Sequence, residues 1–340
     1  CSPTVSFSMS NTKSSTRHTM YSLHEHKHLC RRAMTFSASG LDTLLHRPAR
    51  ESISSRLLRA PVPVLAELLY TRFVQTRTPT PTDHDGPTIR VVCISDTHNT
   101  QPQLPEGDLL IHAGDLTQSG THAELEAQIG WLDRQPHRFK VAIAGNHELC
   151  LDPKTPAEAP GGNDPVDWKS IRYLENSSTI LDFGYRRVKV FGTPYTPQHG
   201  NRAFQYPRNE NIWDKIWIPE DTDILVTHGS PKTHLDLGRY GCKFLRDRSW
   251  SAKQKPWLHV FGHVHGAYGK ETLCWDEFQR AYESIMDNEA KWPSMIRLLW
   301  HAFLRLIRLS DTCERTVMVN AAAIGGLRDE KRRDAICVDI

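Results

Sequence analysis

A chain of 340 residues can build one large domain or two smaller ones. Its 42 basic and 39 acidic residues leave a net charge of +3, so there is no overall case, and no clear surface, for nucleic-acid binding. Eight cysteines without zinc-like spacing point to free thiols in a reducing, intracellular and cytoplasmic compartment.

Residues 1–40 are rich in Ser and Thr, carry scattered basic residues and show no sustained periodicity, which predicts disorder. The scarcity of acids before Asp42 also fits an organellar presequence. His24, His26 and His28 alternate but have no supporting carboxylates, as expected of a solvated tail. Leu57, Leu58, Val64, Leu65, Leu68 and Leu69 recur at helical spacing around Pro61 and Pro63, predicting one or two short helices. A Thr/Pro-rich linker over 76–87 follows. Residues 1–87 thus read as an extension, disordered then helical, and 88–340 as the main domain.

Five short apolar runs come next, each ending in an Asp, Asn or His. Val91-Val92-Cys93-Ile94 precedes Asp96 and His98, Leu109-Leu110-Ile111 precedes Asp115, and Val141-Ala142-Ile143-Ala144 precedes Asn146 and His147. Ile224-Leu225-Val226 precedes His228, and Leu258-His259-Val260-Phe261 precedes His263 and His265. Runs this short and branched read as buried strands, whose carboxyl ends open into the crevice above a sheet. Alone, each residue would pass for a turn or cap. Together they offer oxygen and imidazole ligands without a thiol, suited to Mn, Fe or Zn, and too many for one ion. Two ions roughly 3.5–4 Å apart would use them all.

The segments Cys93-Ile94-Ser95-Asp96-Thr97-His98, Ile143-Ala144-Gly145-Asn146-His147-Glu148-Leu149 and Thr227-His228-Gly229-Ser230-Pro231 resemble the calcineurin-like metallophosphoesterase superfamily. Within it they resemble the branch typified by the brain 239-residue metallophosphoesterase-domain proteins. The resemblance implies a two-sheet α/β sandwich flanked by helices, with a dinuclear metal site at the strand carboxyl ends. It implies that Asp96, His98 and His265 bind one metal, Asn146, His228 and His263 the other, and that Asp115 bridges both. His147 is left as acid or oxyanion stabiliser. The implied reaction is hydrolysis of a small phosphodiester, cyclic nucleotides included, or a phosphomonoester, by a metal-bridged hydroxide. Some members of the branch lack the second His of the last motif, with reduced activity; here Gly262-His263-Val264-His265 is intact. After Asp115 stands Leu116-Thr117-Gln118-Ser119-Gly120 rather than a Val-Asp-Arg-Gly type sequence, a departure that argues against protein phosphatase activity.

Residues 275–310 interrupt the family pattern with a predicted helical insertion. Its apolar length is well below the ~20 residues of a membrane span. Trp300, Phe303 and Leu304 are expected to pack inside the molecule near the rim of the site. The alternative is a membrane-surface or protein contact through the 291–309 helix, whose Lys291, Arg297, Arg305 and Arg308 are basic. A metal-loaded scaffold or membrane-surface adaptor with little catalytic activity is the competing functional reading.

Overall fold

In β1 (Arg90–Ile94), Val91 and Cys93 turn to one side and Val92 and Ile94 to the other, and all four are buried. A strand apolar on both faces must lie between two layers. The computed structural model describes residues 52–75, 87–154, 165–289, 291–307, 313–326 and 330–340. The segment expected to be disordered, the His24 to His28 cluster and the linker up to residue 86 lie outside the described residues.

The first sheet has the order β15-β1-β2-β3-β4, with β2 (Leu109–Ala113), β3 (Phe139–Ile143) and β4 (Ile171–Tyr173) parallel to β1, and β15 (Ile336–Asp339) antiparallel at its edge. The second has the order β11-β12-β10-β9-β6-β5. There β6 (Arg187–Thr193), β9 (Ile224–Thr227), β10 (Leu258–Phe261) and β12 (Arg315–Asn320) are parallel, and β5 (Ser177–Asp182) and β11 (Gly269–Cys274) are antiparallel edges. Two-residue ribbons pair β7 (Thr196–Pro197) with β8 (Gln205–Tyr206) and β13 (Ile324–Gly325) with β14 (Lys331–Arg332).

Between the sheets lies a core that includes Val91, Ile111, Ile143, Val190, Val226 and Val260. The outer face of the first sheet is covered by Leu125, Ile129 and Leu132 of α3 (His122–Asp133), whose start is closed by a Thr121–Glu124 capping box. On the second sheet, Phe191 and Leu225 pack with Leu245 of α4 (Lys243–Ser251). This is the expected two-sheet α/β sandwich flanked by helices. The sheets are stitched together beside the site: Ser95 N–H donates to Ala321 O at 3.0 Å, and Ala323 N–H to Ser95 O at 2.7 Å.

A helical layer adjoins the sandwich. Besides the short α1 (Ile53–Arg59), it contains α2 (Pro61–Gln75), α5 (Glu277–Met286) and α6 (Lys291–Leu306), the last three packed through Val62, Tyr70, Phe278, Tyr282, Met295 and Leu298. Tyr70 stacks on Tyr282 with ring centroids 3.9 Å apart. The expectation that Trp300, Phe303 and Leu304 would pack at the rim of the site is corrected for Trp300 and Phe303, while Leu304 is half-buried. The two aromatic residues are about half exposed, because the stripe of Met295, Leu298 and Ala302 takes the core instead. The thiol expectation is also corrected in part. Cys274 and Cys313 form a disulfide, while Cys93, Cys150, Cys242 and Cys337 are free. No helix among the described residues is long and apolar enough to cross a membrane.

The loop after β9 is held to this layer by a buried imidazole. His234 Nδ1 lies 2.9 Å from Glu271 Oε1 and Nε2 lies 3.0 Å from Glu283 Oε1. Burial would lower its pKa, but the Glu271 and Glu283 carboxylates push it up to about 10. Because the folded value lies above the ordinary 6.5, the contribution to stability is complete below pH 6.5 and is lost as pH rises through 10. His234→Leu should therefore destabilise the fold at neutral pH by about 3–5 kcal/mol, the cost of leaving a buried charge unpaired. The gap from the native protein, measured by urea denaturation, should narrow above pH 10; a gap independent of pH would exclude the ion-pair account.

Candidate metal centre

The site loops leave their strands at the carboxyl ends and bend sharply. Asp96, His98, Asp115 and His263 adopt left-handed backbone angles, with φ of 52°, 42°, 54° and 64°. Non-glycine residues hold such angles only where their surroundings enforce them. Here Asp96 N–H donates to Gly114 O at 2.9 Å and His98 N–H to Asp115 O at 3.2 Å. His263 N–H donates to both Asp96 carboxylate oxygens, at 3.1 and 3.0 Å, and His147 N–H to Asp115 Oδ1 at 2.8 Å. Two glycines permit this approach: a Cβ at Gly262 would collide with Asp96 Oδ2, and one at Gly145 with Asp115 Oδ1.

The bends bring the sequence-named residues together. Ligand atoms of Asp96, His98, Asp115 and His265 lie within 4.8 Å of one another, and those of Asp115, His228 and His263 form a second such group. Asp115 belongs to both. Asn146 adjoins the second group, with Oδ1 3.1 Å from His228 Nε2. His228 Nε2 is 3.3 Å from Asp115 Oδ2, and its Nδ1 donates to Ala113 O at 2.9 Å. The His147 ring stands edge-on to His98 with centroids 4.4 Å apart, and its Nδ1 donates to Gln118 O at 2.7 Å.

Charge in the site is strongly coupled. Burial would raise the Asp96 carboxyl, but the hydrogen bond from His265 and the charges of His265 and His228 hold it below the usual range. Burial is likewise outweighed at Asp115, by His228 above all. The same carboxylates lift His228 to about 9 against the effect of its burial. Burial takes His263 down to about 3, with help from His228, and also lowers His98. Neutral imidazoles are the form that ligates metal.

Both ring nitrogens of His98 are buried without a hydrogen-bond partner, close to two carboxylates. A buried polar atom left unpaired costs about 1–3 kcal/mol, which ligation to a cation would offset. With its oxygen and imidazole donors, the cluster fits divalent metal ions.

Several supporting residues carry no signal as simple as a ligand motif. The Glu148 carboxylate accepts from Asp115 N–H, Thr117 N–H and Thr117 Oγ1, each at 2.9 Å, and from Gly145 N–H at 2.6 Å. It thereby joins two site loops. Despite these bonds, burial and the Asp115 charge push its pKa up to about 7. Asn320 Nδ2 donates to Val264 O at 3.0 Å, holding the turn between His263 and His265. His112 and His259 are buried and lie 3.0 and 2.9 Å from the hydroxyls of Thr97 and Thr227, as packed residues rather than ligands.

A two-sheet sandwich that gathers paired cation-ligand groups at its strand ends is the metallophosphoesterase architecture. The chain belongs to the calcineurin-like phosphoesterase family, whose model matches residues 89–267 and so spans every ligand named above and His147. It is 54% identical over 303 residues to "Probable rhamnogalacturonate lyase C" of Emericella nidulans, a match covering 88% of this chain and 29% of that protein. The lyase in that name describes a protein that lies mostly outside the matched stretch. The chain is 36% identical over 219 residues to human metallophosphoesterase domain-containing protein 1, covering 56% of this chain and 65% of that one. With UPF0046 protein C25E10.12 of Caenorhabditis elegans it shares 34% identity over 230 residues, covering 58% and 80%. It thus spans less than two thirds of the length of the first two relatives.

Glu148→Ala would leave three buried N–H groups without their acceptor, at about 1–3 kcal/mol for each unsatisfied group. Denaturant unfolding should show a loss of at least a few kcal/mol, and metal analysis a weaker hold on cations. Native stability and native metal content in this variant would show that Glu148 does not join the loops.

Proposed function

We propose that the chain is a metal-dependent phosphoesterase acting on a small phosphodiester, with phosphomonoesters as the alternative substrate class. The observation that carries this is the pair of cation-ligand groups sharing the buried Asp115. Asp96, His98 and His265 would hold one divalent ion with Asp115, and Asn146, His228 and His263 would hold the second with the same aspartate. Bound ions would offset charge on the phosphoryl oxygens and lower the pKa of a water from about 15.7 towards neutrality.

The protein's part is positioning and proton transfer. Gln118 O fixes His147 Nδ1 as a donor, which leaves Nε2 as the nitrogen for the leaving group or a phosphoryl oxygen. Glu148 keeps Asp115 turned into the cluster through its backbone. Gly114-Asp115 is followed by Leu116, Thr117 and Gln118 and brings no arginine to grip a phosphoprotein, in keeping with a small substrate.

The direct test is metal analysis of the purified chain together with hydrolysis of bis(p-nitrophenyl) phosphate and p-nitrophenyl phosphate with Mn²⁺ added. Diester turnover abolished by chelation is expected; a chain that retains no metal and turns over neither ester would remove the proposal. His147→Ala should lower turnover by about 10²–10⁴-fold with metal content nearly unchanged. Asn146→Ala should lose metal and activity together. Asp115→Asn should weaken both ions, and full occupancy with full turnover in that variant would overturn its bridging role.

A further inference from the structure

Helix α6 has two apolar stripes, and the core uses only one. Met295, Leu298 and Ala302 face α2 and α5. Trp292, Ile296, Leu299, Trp300, Phe303 and Leu306 recur at i, i+4, i+7, i+8, i+11 and i+14, and so form a second stripe. All six are exposed, Trp292 to 70%, Trp300 to 57% and Phe303 to 49%. Exposed apolar residues scattered singly need no explanation, but an aligned run that includes two tryptophans does.

Charge selects the occupant. From Lys291 to Leu306 there is no Asp or Glu, and Lys291 and Arg297 are exposed on the same helix. Arg305 is turned inward, paired with Asp276. Helix α1, which packs on α2, also exposes Ile53, Leu57 and Leu58 and has no carboxylate of its own, its Arg56 pairing with Glu67 of α2. A convex helix face bearing Trp, Phe and Leu with basic residues alongside suits the headgroup boundary of a bilayer, where such a face sinks about 5–10 Å. Basic side chains near an anionic leaflet each add about 1 kcal/mol.

We propose that this helical layer docks on an anionic lipid surface through the outer stripe of α6, making the chain a peripheral membrane protein. The stripe plays no part in ligating the cation site, so docking and hydrolysis can be separated experimentally. Full-length protein should be mixed with phosphatidylcholine vesicles with and without phosphatidylserine, and binding read by flotation and by the blue shift of tryptophan fluorescence. Binding should require phosphatidylserine and weaken with salt. Trp300→Ser combined with Phe303→Ser should weaken it by about tenfold or more, and Arg297→Glu should weaken it as well, while circular dichroism stays native. Failure to float with either vesicle, or undiminished binding by the double variant, would overturn the proposal. So would self-association of the native chain in sedimentation velocity that is lost in the double variant while neither protein binds vesicles, since the stripe would then join two copies.

Discussion

Two carboxylates shut away from water at neighbouring strand ends set the terms for everything around them. Asp96 and Asp115 are buried and close enough for each to oppose ionisation of the other. Charges in such a place persist only when other groups compensate them. The surrounding loops do this with main-chain N–H groups, with the imidazoles of His228 and His265, and with glycines that let donors come near. The left-handed turns follow from the same need, because an extended continuation of β1 or β2 would carry the donors past the carboxylates instead of towards them.

Support for the centre comes from distant parts of the chain. Glu148 binds the loop after β2 to the loop after β3, while Asn320, at the end of β12, reaches the turn that carries His263 and His265. On the other side Asn99, next to His98, donates to Glu124 Oε1 at 2.7 Å, and Glu124 also closes the start of α3. The main-chain bonds of Ser95 to Ala321 and Ala323 join the two sheets at the same level. The centre is therefore a product of both sheets, and neither sheet alone holds all of its residues.

The central strands and the proposed ligands were legible in the sequence because the same chemistry acts on both. A buried strand must be apolar, and a cation demands Asp, Asn or His where the strand stops. Glu148 was not legible as a support, since a glutamate after His147 reads as an ordinary polar residue until its four donors are seen. Helix α6 misled for a different reason. Both of its stripes have the period of a packed face, and the bulkier one, with Trp300 and Phe303, lies outside while Met295 and Leu298 lie inside. Periodicity identifies a face but does not name the surface that covers it. The Cys274–Cys313 pairing had no local cue either, as 39 residues separate the two.

That disulfide lies where the chain leaves β11 and returns to β12, with Cα atoms 5.5 Å apart. Because β11 and β12 are antiparallel neighbours, the sheet needs only a hairpin there, and a hairpin loop of any size can satisfy it. The helical pair is in this sense a cassette: its ends meet at a fixed gauge, so exchange for another module with adjoining termini would not alter the strand order beneath. The exchange has conditions. A replacement must present carboxylates where Glu283 meets His234 and where Asp287 meets Lys232 and Arg246, or the loop that follows His228 loses its ties to this segment and a buried guanidinium loses its partner.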